Sequence, residues 1–174
     1  MSADRIAFLG AVGAFTLITA AVDVRTHRLP NLLTVPACLA GLVFHLAVGA
    51  HKGGVTGLGH GFLFALGGFA VGFGLFFLMW TAGSVSGGDV KFMGAIGAWL
   101  GPMPTLHVFL VGAVFVLILS VVLRLWRWGY GGHGRQDSFP AWTNRSGQGV
   151  MVWGLPIALA VWSVMVYTEF WGGK

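Results

Sequence analysis

The sequence predicts an all-α, polytopic membrane protein of six transmembrane helices, the fourth of them short, with both termini outside. Three observations carry that expectation. Of 174 residues, 56% are hydrophobic and 9% charged, with a mean hydropathy of +0.83; a soluble domain carries roughly a quarter charged residues. The Lys, Arg, Asp and Glu residues leave five charge-free stretches, 6–22, 29–51, 53–88, 92–123 and 146–168. Each is about one bilayer crossing long, ~20 residues, or longer. Glycine and proline mark where the longer stretches turn.

The first helix covers about 6–22. It could pass for a signal peptide, but Asp4 offsets Arg5 and removes the positive n-region, so it reads as a retained helix. The second covers about 32–50. Pro30 stops a helix ahead of it, and Asn31 is a good N-cap. Lys52-Gly53-Gly54 is the turn into a third span within 55–80. One helix over 53–88 would run ~54 Å against a hydrocarbon core of ~30 Å. The glycine-rich ends, Gly57/Gly59/Gly61 and Gly83/Gly87/Gly88, are therefore expected as loop or frayed helix. Gly101-Pro102-Met103-Pro104 divides the next stretch into a short helix, 92–100, and a full one, about 105–123. The last stretch supplies the sixth.

If the short helix crosses, the segments holding Asp23, Asp89 and Arg124, Arg127, Arg135 and Arg145 share one side. That side then carries seven of the ten basic residues, and the positive-inside rule makes it cytoplasmic. Asp23 and Asp89, two crossings apart, then share that face.

Several chemistries are excluded. Cys38 is the one cysteine, so there is no disulfide framework and no CxxC site. The net charge of +5 and pI near 10.2 fit anchoring at a cytoplasmic membrane surface, not nucleic acid. A zinc HExxH site is impossible, because the one glutamate, Glu169, has no histidine beside it. Residues 83–87 hold serines at the wrong offsets for G-x-S-x-G, and no two of the six histidines are four apart. Asp23 and Asp89 are left as the acids adjoining long apolar segments on that side. Two close carboxylates in a poorly solvated site share a proton, and such a pair can polarise a water and a peptide carbonyl together. Helix-end acids that simply meet headgroups and water give the same pattern.

Sequence context separates these readings. Asp23-Val24-Arg25-Thr26-His27-Arg28-Leu29-Pro30-Asn31 resembles the D-x-R-x-x-x-[I/L]-P-N signature of type IV prepilin peptidases. Gly87-Gly88-Asp89-Val90-Lys91-Phe92 is similar to their second signature, G-x-G-D-x-K. Trp153-Gly154-Leu155-Pro156-Ile157-Ala158-Leu159-Ala160 resembles a glycine- and proline-containing segment near the family's C-terminus. The resemblance implies that Asp23 and Asp89 are the dyad of a GxGD-type intramembrane aspartyl protease, with Arg25, Pro30, Asn31, Gly87, Gly88 and Lys91 as motif support. One departure is Ser86, where the signature's first glycine falls; a requirement for φ > 0 there would strain a serine. Lys91 either holds its loop at the headgroups, biases the dyad toward ionisation, or is a positive-inside anchor; Arg25 and Arg28 carry the same ambiguity. Gly94, Gly97 and Gly101 give the short helix a small-residue face for close packing. The eight tryptophans read as an interfacial belt.

The resemblance implies a prepilin leader peptidase, an aspartic endopeptidase in the inner membrane with its site at the cytoplasmic face. Its partners are a prepilin-like membrane substrate and the bilayer, with no nucleic acid, metal or organic cofactor. With one cysteine, residues 1–174 read as a single peptidase domain without the methyltransferase or zinc segment of longer members. That is similar to the short protease-only branch of tight-adherence (Flp-type) pili. A proton-coupled small transporter and an inactive pilus-assembly scaffold are the alternatives.

Overall fold

The computed structural model describes residues 3–26, 31–129 and 154–170, and all its elements are helices. In chain order these are α1 (Ala3–Thr26), α2 (Asn31–Thr81), α3 (Gly87–Leu100), α4 (Pro102–Gly129) and α5 (Gly154–Phe170). Among the described residues two stretches, Asn31–Thr81 and Pro102–Val122, are long and apolar enough to cross a membrane.

The 51-residue α2 is two helices joined at a kink, where Gly53 (φ −145°, ψ 16°) and Gly54 (φ 57°, ψ −135°) leave helical geometry. The positive φ of Gly54 is one that glycine adopts without a Cβ penalty. The limbs, 31–52 and 55–81, fold back antiparallel: a Cβ on Gly57 would meet the Gly49 carbonyl, and one on Gly61 the His45 carbonyl. Backbones this close admit only glycine at the crossing. Gly57 and Gly61 thus lie inside a helix and not in the expected loop or frayed end, because they serve approach and not turning; Gly59 between them is also helical but has open space around it.

The short helix is the centre of the molecule. Every residue from 92 to 100 is buried, with Phe92, Met93, Ala95 and Ile96 fully so. Its apolar character on all sides matches that position. The first limb of α2 runs parallel to it, with Asn31 at Lys91 and Ala37 at Trp99. The second limb runs antiparallel, with Gly68 against Gly97 and Gly72 against Met93. On another side α1 is antiparallel, pairing Phe15 with Phe92 at 5.6 Å and Phe8 with Trp99 at 6.1 Å between ring centroids. Helix α5 packs on α1 and α4, placing Trp162 over Gly13 and Ala160 beside Gly112.

Other boundaries also move. Of the glycines expected as loop or frayed helix, Gly83 lies in the turn before α3 with φ 74°, while Gly87 and Gly88 form the first turn of α3 itself. Helix α1 continues to Thr26, which puts Asp23 and Arg25 in its last turns and not in a connection. Helix α4 starts at Pro102, a residue suited to a first helical position, and continues to Gly129, so Arg124 and Arg127 belong to the helix. The break at Gly101 is as expected, with φ 79°. Arg28, Pro30, Arg135, Asp137 and Arg145 lie outside the described residues.

Candidate active site

The site is built on the first turn of α3. Ser86 is the N-cap, with extended backbone (φ −82°, ψ 155°), and Asp89 is the third helical residue. The Ser86 hydroxyl accepts the Asp89 N–H at 3.3 Å, while the Ser86 N–H donates to Asp89 Oδ2 at 3.2 Å. This reciprocal pair is a capping box, satisfying N–H groups that a helix start leaves unpaired. The Ser86 hydroxyl also donates to the same Oδ2 at 2.8 Å. Position 86 has negative φ, so the serine is unstrained. The strain foreseen for a residue other than glycine does not arise.

Asp89 is 4% exposed, an unusual burial for an acid. Its place in the first helical turn, where backbone N–H groups are oriented toward the side chain, suits a negative group. Beyond it, Lys91 is exposed and donates from Nζ to Asn31 Oδ1 at 2.8 Å. This bond joins the two signature-like segments, sixty positions apart in sequence. Asn31 opens α2 and Lys91 lies in the first turns of α3, so the bond sets the starts of two parallel helices side by side.

Asp23 lies on α1 two turns beyond Phe15, and Asp89 one turn before Phe92, its ring partner. Since α1 and α3 are antiparallel, the backbones of both acids stand toward the same end of the bundle. The side chains of Asp23 and Arg25 lie outside the described residues. Gly87 has only Trp80 Nε1 near a would-be Cβ, at 3.8 Å, so space does not demand glycine there. The third segment resembling the family contributes to packing: Pro156, Ile157, Ala158 and Ala160 are buried. Among the described residues no cluster of His, Cys, Asp and Glu is fit to hold a metal ion.

Two polar features were not foreseen from sequence. Ser86 is one, although its S-x-x-D spacing is a capping-box signal. His45 is the other: its Nε2 lies 2.7 Å from the Trp99 carbonyl, which can only accept, so that nitrogen carries the hydrogen. The bond satisfies a carbonyl in the last turn of α3, and the Trp99 indole N–H donates to Ala37 O at 2.8 Å.

Comparison with known proteins supplies a family. The model of the type IV leader peptidase family matches residues 10–121. A prepilin leader peptidase/N-methyltransferase of Dickeya chrysanthemi is 32% identical over 134 residues, 69% of this chain and 44% of that protein. One from Burkholderia pseudomallei (strain 1026b) is 32% identical over 144 residues, 73% of this chain and 43% of its own. One from Aeromonas salmonicida (strain A449) is 37% identical over 113 residues, 59% of this chain and 36% of its own. The chain thus spans less than half the length of these relatives. No solved structure matches it.

Proposed function

The chain belongs to the type IV leader peptidase family, and from that premise we propose that it removes the short cytoplasmic leader of type IV pilin-like precursors. Asp23 and Asp89 act together on one water. The ionised carboxylate takes a proton from that water as its oxygen attacks the scissile carbonyl carbon. The protonated partner gives its proton to the carbonyl oxygen, and collapse of the tetrahedral species breaks the C–N bond, the amine leaving with a proton. Two carboxyls in a poorly solvated site divide the roles this way because both cannot ionise cheaply.

The observation that carries the reading is the Lys91–Asn31 bond, which draws the two signature-like segments together beside the buried Asp89. The two apolar helices and the family point to an inner-membrane protein. We place six crossings in it, counting both limbs of α2, with both termini outside and the dyad at the cytoplasmic face.

Mass analysis of a prepilin incubated with the purified protein in detergent tests the chemistry. Asp23→Asn and Asp89→Asn should each remove nearly all cleavage, ~10³-fold or more, and the double variant should be little worse, as for groups that act as one unit. Substantial cleavage by either single variant would falsify the dyad and favour a transporter or scaffold. For sidedness, a cysteine introduced beside Asp137 in a Cys38→Ala background should be labelled from the cytoplasm alone. Labelling from outside would overturn the six-crossing arrangement.

A further inference from the structure

The capping box at the start of α3 holds one hydrogen bond more than a cap requires. A box needs the serine oxygen on the Asp89 N–H and the aspartate oxygen on the Ser86 N–H; both are present. The additional bond runs from the Ser86 hydroxyl to Asp89 Oδ2 at 2.8 Å, side chain to side chain. A hydroxyl can donate and accept at once, so one group grips both the amide and the carboxyl of Asp89. The terminal torsion of an aspartate is broad, and a second donor on the same oxygen narrows it. Ser86 is exposed while Asp89 is buried, so the grip comes from the outer side of the carboxyl. Glycine, which the family signature has at this position, supplies only the N–H.

Resting on the dyad reading, we propose that Ser86 is a positioning residue for Asp89. Its hydroxyl holds the plane of the carboxyl in the orientation from which Asp89 meets water and the scissile carbonyl. It does not touch the substrate, so its loss should appear in turnover and not in substrate affinity.

Three variants test this by steady-state cleavage of a prepilin in detergent, alongside thermal unfolding. Ser86→Gly keeps an acceptable N-cap and the N–H donor but removes the hydroxyl; Ser86→Thr keeps the hydroxyl. Asp89→Asn is the control for the reading beneath. We expect Ser86→Gly to lower kcat about ten-fold with KM and Tm little changed, a pattern of misplaced catalytic geometry. Ser86→Thr should restore kcat to within about two-fold of the parent. Cleavage surviving in Asp89→Asn would overturn the dyad reading and this assignment with it. With Asp89→Asn inactive, parental kcat in Ser86→Gly, or equal loss in Ser86→Gly and Ser86→Thr, would overturn the positioning role alone.

Discussion

The two ends of α3 are held in different ways. At the Asp89 end, contacts run between polar side chains: Ser86 to Asp89, and Lys91 to Asn31. One turn into α2 from Asn31, the Thr34 hydroxyl is buried at 2% exposure and has no hydrogen-bond partner among the described residues. At the Gly101 end, contacts are mostly backbone and ring. Gly97 lies against Gly68, Phe64 covers Gly101, and Trp99 sits among Phe8, Phe44 and the Gly41 backbone. The polar groups there are closed onto carbonyls, His45 on Trp99 O and Thr105 on Gly101 O. Close packing of backbone and rings fixes one end of the helix, while hydrogen bonds between polar side chains hold the other, where Asp89 is buried.

The largest effect should come from breaking the packed end. A Cβ on Gly97 would enter the Gly68 carbonyl, which is backbone and cannot turn aside. Gly97→Ala should cost ~2–3 kcal/mol through overpacking, read as a lower Tm and lost protease resistance in detergent, with activity falling along with folded protein. Gly59 is the control. It is helical and exposed, with nothing near a would-be Cβ, so Gly59→Ala should be neutral or stabilise by up to ~1 kcal/mol. Equal behaviour of the two would mean that α3 is not held by backbone approach.

The same glycines explain what was legible in the sequence. Turns were readable where charge, glycine and proline coincide, as at Lys52-Gly53-Gly54 and Gly101-Pro102, and Gly54 and Gly101 have positive φ. The error came where glycine serves proximity. Gly57 and Gly61 lie within a helix against Gly49 and His45, and composition cannot tell a residue needed for its torsions from one needed for its missing side chain. Near the candidate site, the sequence singles out Asp89 by its signature-like context, but not its burial or the Lys91–Asn31 bond, since both depend on contacts between distant segments. Ser86 stood out only as a departure from a signature, whereas the structure shows what its hydroxyl holds.

The smallest effect on stability, and the sharpest test of the polar end, belongs to Lys91 and Asn31. Lys91 is exposed, and its bond to Asn31 spans two helix starts. An exposed charged pair typically contributes no more than ~1 kcal/mol, and a charge-to-amide bond in water should contribute no more than that. Lys91→Met and Asn31→Ala should therefore leave Tm nearly unchanged. Their value lies in register: the bond sets the start of α2, next in sequence after the Asp23 segment, against the turn that carries Asp89. Each variant should lower cleavage several-fold, and the double variant should be no worse than the weaker single one, because both remove the same contact. If Lys91 serves instead as a headgroup anchor or biases the dyad's ionisation by its charge, Asn31→Ala would leave cleavage intact while Lys91→Met reduced it. Losses that multiply would likewise separate the two residues and reduce the bond to a surface contact.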